Sequence, residues 1–235
     1  MQNEGLKAAA IAAFKHTFQV LASGASTVIP ETAIKPVDTL PTMDGISITP
    51  KPELLKSTVM LKLNGGLGTG MGLDKAKSML KVTGEFSFLD LMAMQVDSMK
   101  EEHRTDLKFM LMNSFSTSED TLQALQEYPD LGTGGDLEFV QNKAPKVTEA
   151  DLSPANWDAD HGHEWCPPGH GDLYPAMLGS GTLDKLLAQN FKYMFVSNSD
   201  NLGATMDVKL ALALALCVPR HLVFATWQAV VSQST

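Results

Sequence analysis

The sequence predicts an α/β fold: an open sheet layered with helices, with a ligand site where its strands end. Short apolar runs alternate with helical patterns through the middle of the chain, the rhythm of such a sheet. A loop with five glycines in eight positions, Gly65 to Gly72, leaves the first of those runs. Polar clusters follow Leu63, Val140 and Val196, each at the carboxyl end of an expected strand, where open α/β sheets bind ligands.

Taken in order, Gly5 to Leu21 reads as a helix, with Ala8, Ile11, Ala12, Phe14, Phe18, Val20 and Leu21 on a broad apolar face. The Ser-, Thr- and Pro-rich stretch from Ser23 to Pro52 reads as an extended arm packed over the core. Thr58 to Leu63 is a buried strand, followed by the glycine loop and a lysine-bearing segment to Val82. Phe88 to Glu102 is a helix with Leu89, Met92, Val96 and Met99 on one face. Leu107 to Met112 is a second strand. Ser116 or Thr117 caps a helix that Pro129 ends, and Leu137 to Gln141 is a third strand. Asn142 to Tyr174, rich in Pro, Gly and His, reads as loop. Leu183 to Ala188 is helical and Tyr193 to Ser197 is a further buried strand.

Composition narrows the function. The 235 residues suffice to bury a core without a disulfide or a metal. The net charge of −9 and the lack of a basic stripe argue against nucleic acid as a partner. Backbone N–H groups and one or two lysines still suffice to hold a phosphorylated small molecule. Two cysteines, Cys166 and Cys217, without a C-x-x-C pair suit a reducing compartment. The N-terminus lacks an uninterrupted apolar region, and the best membrane candidate, Leu210 to Val231, is broken by Pro219, Arg220 and His221. A cytoplasmic protein with no membrane partner is therefore expected.

Glycine lets the loop after Leu63 turn sharply, approach a ligand closely and expose N–H groups to an anion. The loop is not a Walker A sequence, since no Gly-Lys-Ser/Thr closes it, and no triplet of its glycines fits G-x-G-x-x-G. Lys75 and Lys77 downstream favour a phosphate-binding loop over a bare surface loop.

Motif by motif, the chain resembles the UDP-glucose pyrophosphorylases. The residues that carry the resemblance are Leu63 to Thr69 with Met71-Gly72 and Lys77-Ser78; Leu111-Met112-Asn113-Ser114-Phe115; Val140-Gln141-Asn142-Lys143; Pro167-Pro168-Gly169-His170-Gly171-Asp172; and Phe195 through Gly203. They fall in family order between Glu53 and Asp207. The resemblance implies a Rossmann-like open mixed sheet of the nucleotide-diphospho-sugar transferase type. It implies uridylyl transfer from UTP to glucose 1-phosphate, giving UDP-glucose and pyrophosphate, with Mg²⁺ as cofactor.

The resemblance also implies roles. Leu63, Asn64, Gly65 and Gly66 would border the uridine and ribose. Gln141 and Gly169 would bond the uracil edge, with Met112 near the base. His170 would sit beside the sugar phosphate or the α-phosphate, and Asn198, a substrate-binding residue, ends a buried strand with Asp200. Lys77 would offset charge on the α-phosphate, and Asp200 would ligate Mg²⁺. Asn198 and Asp200 as mere turn caps is the plainer alternative. A pyrophosphorylase for another UDP-sugar, such as a UDP-N-acetylhexosamine, is a further one; the His170-Asp172 pairing favours glucose.

The cluster His161, His163, Glu164, Cys166 and His170 lacks paired zinc spacing. Ser78-x-x-Lys81 and Ser199-Asp200-Asn201 match two penicillin-recognising motifs, but the third, Lys-Thr-Gly, is absent. All 27 acidic residues precede Val208, so composition changes where the last motif ends. The expected organisation is an N-terminal helix and arm (1–56), a nucleotide-binding part (57–207) and an unmatched tail (208–235). On this reading the chain is truncated, binds uridine nucleotides with little or no turnover, and forms homo-oligomers only in full-length relatives.

Overall fold

A computed structural model describes residues 1–36, 38–39, 49, 51–67 and 75–209, and the backbone of 223–226. Gly68 to Leu73 of the glycine loop, Cys217 and most of the expected tail lie outside the described residues.

Five strands form one sheet. β1 (Thr58–Asn64) is central, and β4 (Lys108–Asn113), β5 (Glu138–Val140), β8 (Tyr193–Asn198) and β9 (Val223–Thr226) complete it in the order β5-β4-β1-β8-β9. Every pairing is parallel, with Leu63 opposite Met112 on one side and Asn198 on the other. The mixed sheet implied by resemblance is thus parallel throughout its described strands. Antiparallel pairing is confined to two small ribbons, β2 (Lys81–Thr83) with β3 (Phe86–Ser87), and β6 (Ala144–Pro145) with β7 (Trp165–Cys166). Because the sheet is parallel, all its carboxyl ends lie along one edge. The chain order reverses between β1 and β8, the switch point where such sheets open a crevice.

Both faces of β1 are buried, as its near-continuous apolar run requires. Met60 packs with Leu89, Met92, Ala93 and Val96 of α2 (Phe88–His103), together with Phe109, Leu111 and Phe195. On the other face Val59, Leu61 and Leu63 pack with Leu173, Ala176 and Met177 of α4 (Leu173–Ser180) and with Leu186 of α5 (Thr182–Ala188). A short helix, α3 (Ser118–Ala124), joins β4 to β5.

α2 starts at a full capping box: the Ser87 hydroxyl accepts from the Asp90 N–H, and the Asp90 carboxylate accepts from the Ser87 N–H. It ends at Arg104, whose φ of 47° places it in the left-handed region.

The expectation of an arm packed over the core needs correction, and two other expectations gain detail. The N-terminal helix, α1 (Ala8–Ala22), buries little of its broad apolar face: Ala10 is buried while Leu21 is half-exposed. Residues 23–36 are exposed throughout and do not pack over the core. α4 begins inside the segment read as loop and fills the gap before α5. Pro175 is tolerated there because a first-turn N–H has no helical partner to lose.

Candidate functional site

The carboxyl ends of β1, β4 and β5 open into a cavity of about 640 Å³. It is lined by Gly65, Gly66 and Leu67 of the glycine loop, by Phe115, Ser116 and Gln141, and by Trp165, Pro167, Gly169 and His170.

The glycine loop returns on itself. Leu67 bridges Ala76, and the Lys77 N–H donates to the Gly66 carbonyl at 3.1 Å. A Cβ at Gly66 would stand 4.0 Å from Lys77 Cδ, so the lysine stem runs beside that glycine while the residue stays exposed. Gly65 is required for a different reason. A Cβ there would fall 2.1 Å from Gln141 Nε2, so the Gln141 amide lies directly on the glycine backbone.

Gln141 itself is 5% exposed, and its Oε1 is buried with no hydrogen-bond partner. A buried carbonyl left unpaired costs free energy. The Gln141 N–H donates to the Asn113 carbonyl at 2.7 Å, which carries the residue on the end of the sheet.

The segment after Gly169 is tied to Gln141 by its neighbour. Asp172 accepts from the Asn142 N–H at 2.6 Å and from Asn142 Nδ2 at 2.9 and 3.1 Å. Burial pushes the Asp172 carboxyl up from its usual range, against the opposing pull of those bonds. Farther out, His161 Nδ1 meets Glu164 Oε1 at 2.7 Å, which raises the histidine. Glu164 is lowered, chiefly by accepting the Trp157 N–H and then by His161.

Among the residues singled out from sequence, Gly65, Gly66, Gln141, Gly169 and His170 meet around this one cavity, with Lys77 beside it. Asn198 and Asp200 stand at the end of the adjoining strand β8, beyond the cavity lining; the Ser199 N–H donates to the Leu63 carbonyl at 3.0 Å, and Asp200 is exposed on the next turn. Met112 does not face the cavity. It is fully buried in the apolar cluster of Leu63, Phe139 and Leu173, because strand alternation turns it onto the α4 face.

Asn64 is also turned inward: its Nδ2 donates to Asn113 Oδ1 at 2.7 Å and to Thr121 Oγ1 at 3.1 Å. Asn113 continues to Glu138 at 2.6 Å, and Glu138 accepts from Ser118 at 2.7 Å. Thr117 takes the expected N-cap position of α3 but makes no side-chain cap bond, and its hydroxyl donates to the Asn64 carbonyl at 2.9 Å. This network fixes the root of the glycine loop. No local pattern announces it, since its members meet only through the register of β1, β4 and β5.

Among the described residues, no group of three or more His, Cys, Asp or Glu side chains is placed to hold a metal. His163, Cys166 and His170 of the His161-to-His170 cluster line the cavity. No helix of the described residues is long and apolar enough to cross a membrane.

A parallel sheet in this order, with a glycine loop leaving its central strand beside a buried amide reader, defines a nucleotidyltransferase fold. The UTP–glucose-1-phosphate uridylyltransferase family pattern matches residues 11–224. The chain is 43% identical to a Trypanosoma brucei UDP-glucose phosphorylase structure, with a TM-score of 0.86 over 92% of this chain and 47% of that one. A UDP-glucose pyrophosphorylase variant from Leishmania major, solved with UDP-glucose, gives 42% identity and a TM-score of 0.86, covering 92% and 45%. A Musa acuminata UTP–glucose-1-phosphate uridylyltransferase is 40% identical over 75% of this chain and 38% of its own length. The chain belongs to the UTP–glucose-1-phosphate uridylyltransferase family. It spans under half the length of each of these relatives. The family match crosses Asp207, where the resemblance was expected to stop, and β9 pairs with β8 beyond that point.

Proposed function

We propose that this chain holds the uridine nucleotide in the cavity at the ends of β1 and β5, and that it serves the transfer of uridylyl from UTP to glucose 1-phosphate. The reading is carried by Gln141: an amide pressed on Gly65 in the cavity lining, with its carbonyl unpaired, suits the donor and acceptor edge of uracil. Gly169 contributes backbone at the same edge, and Leu63, Gly65 and Gly66 border the nucleoside. Leu63 and Asn64 act from beneath the loop, Asn64 through its bonds to Asn113 and Thr121. Met112 acts only as packing behind the wall.

Lys77, exposed beside Gly66, is suited to meet the phosphates. His170 lines the cavity and would serve the sugar phosphate, with Asn198 at the end of the next strand. In the reaction, a phosphate oxygen of glucose 1-phosphate attacks the α-phosphorus of UTP. The bond from that phosphorus to the bridging oxygen breaks, and pyrophosphate leaves with the electron pair. The protein's part is positioning and charge stabilisation, with no covalent intermediate.

Asp200 suits Mg²⁺, which takes one or two carboxylates together with phosphate oxygens and water; a lone exposed carboxylate matches that demand. When bound, the ion would neutralise phosphate charge.

Calorimetry with UTP and Mg²⁺ tests the nucleotide site. Saturable binding weakened at least about tenfold by Lys77→Ala is expected, the scale of a lost charge-assisted contact. A folded chain that binds no uridine nucleotide would end the proposal. Turnover is a separate measurement, by release of pyrophosphate in the presence of glucose 1-phosphate.

A further inference from the structure

Asp172 stands at the N-cap of α4, where a carboxylate commonly accepts from its own helix. Here it makes no such cap bond. Its carboxylate instead takes three hydrogen bonds from Asn142, one of them from the backbone N–H. Asn142 is the residue after Gln141, and Asp172 closes the short turn that begins with His170 after Gly169. The residue is 6% exposed, so the charge is held out of water. A buried charge is retained against its desolvation cost only where bonds compensate it. No charged partner compensates this one: burial raises the carboxyl, and the Asn142 bonds oppose that rise.

Gln141 needs such a brace. Its amide rests on Gly65 with its oxygen unpaired, so no hydrogen bond to that oxygen fixes the side chain before a base arrives. Its position depends on the backbone that carries it. That backbone is held on one side by the bond to the Asn113 carbonyl and on the other by Asp172 through Asn142.

We propose that Asp172 is a positioning residue for base selection: it locks the Gln141 and Gly169 walls at one spacing, so that only a uracil edge satisfies both. The inference rests on the assignment of Gln141 to the base.

The test compares UDP-glucose with CDP-glucose, which share sugar and diphosphate and differ only at the base edge. Dissociation constants for both are measured for the wild-type chain, Asp172→Asn and Asp172→Ala, with thermal melts of each. The asparagine keeps one acceptor for the Asn142 N–H but sets a donor against the Asn142 amide, so it loosens the lock while preserving shape. The expected result is a fall in the preference for UDP-glucose of about fivefold or more in Asp172→Asn, and a larger fall in Asp172→Ala if that variant folds. CDP-glucose affinity should change little. Equal weakening of both ligands, or an unchanged preference in a folded Asp172→Asn, overturns the inference and leaves the nucleotide site standing. A wild-type chain that binds neither ligand overturns both.

Discussion

Lys62 projects from the middle of β1 into the α2 side of the core, 1% exposed, with its ammonium donating to the Ala204 carbonyl at 3.1 Å. Burial lowers it from 10.5 to about 8. Between those values the unfolded chain binds the proton that the folded chain has lost. Stability therefore rises with pH from about 8 to 10.5, and on lowering the pH it falls across that window and levels off below about 8. The shift corresponds to roughly 3 kcal/mol at most. Denaturant melts at pH 7, 8, 9 and 10 should show this rise in the wild type and lose it in Lys62→Met, the difference between the two removing other titrating groups. The same bond tethers the turn that follows Asp200, so a charged group in the core anchors a candidate metal ligand. At this scale the sequence disclosed residue types better than residue directions. Gly65, Gln141, Gly169 and His170 were legible from their motifs. The inward turn of Met112 and Asn64 was not, because motif membership carries no information on which face of a strand a side chain takes.

The elements that could be read were those whose own sequence decides them. α2 shows a helical apolar face, a capping box at Ser87 and Asp90, and a defined end at Arg104. β1, β4 and β8 are apolar runs buried on both faces, as parallel strands must be. α4 was hidden because Leu173 follows a Pro- and Gly-rich stretch and Pro175 sits in its first turn. The ribbon β6–β7 is two residues a side and gives no period to detect.

The cap of α2 makes a measurable claim. Ser87→Ala removes the acceptor for the Asp90 N–H and should cost about 1 kcal/mol in chemical denaturation. Tyr128 Oη also donates to the other Asp90 oxygen at 3.0 Å, which ties α2 to the segment after α3. The cost should therefore exceed that of an isolated cap, and Tyr128→Phe combined with Ser87→Ala should be non-additive.

At the scale of the whole molecule, the parallel sheet gathers separate pieces of sequence at one edge. The loop after β1, the residue after β5 and the segment after β7 are scores of residues apart in the chain, yet they wall one cavity. A ligand that touches all of them must stabilise them together. A hundredfold excess of UDP-glucose over its dissociation constant adds about 2.7 kcal/mol to the folded state, which for a chain of this size raises the melting temperature by about 5–10 °C. Hydrogen exchange locates that gain. Protection should appear at Gly65 to Leu67, at Gln141 and Asn142, and across His161 to Asp172, while α1 and the exposed residues 23–36 exchange as before. Protection spread evenly over the chain would signal global stabilisation from a site elsewhere. Protection at the glycine loop alone would place the phosphates but detach the base from Gln141, even though that amide lies against Gly65.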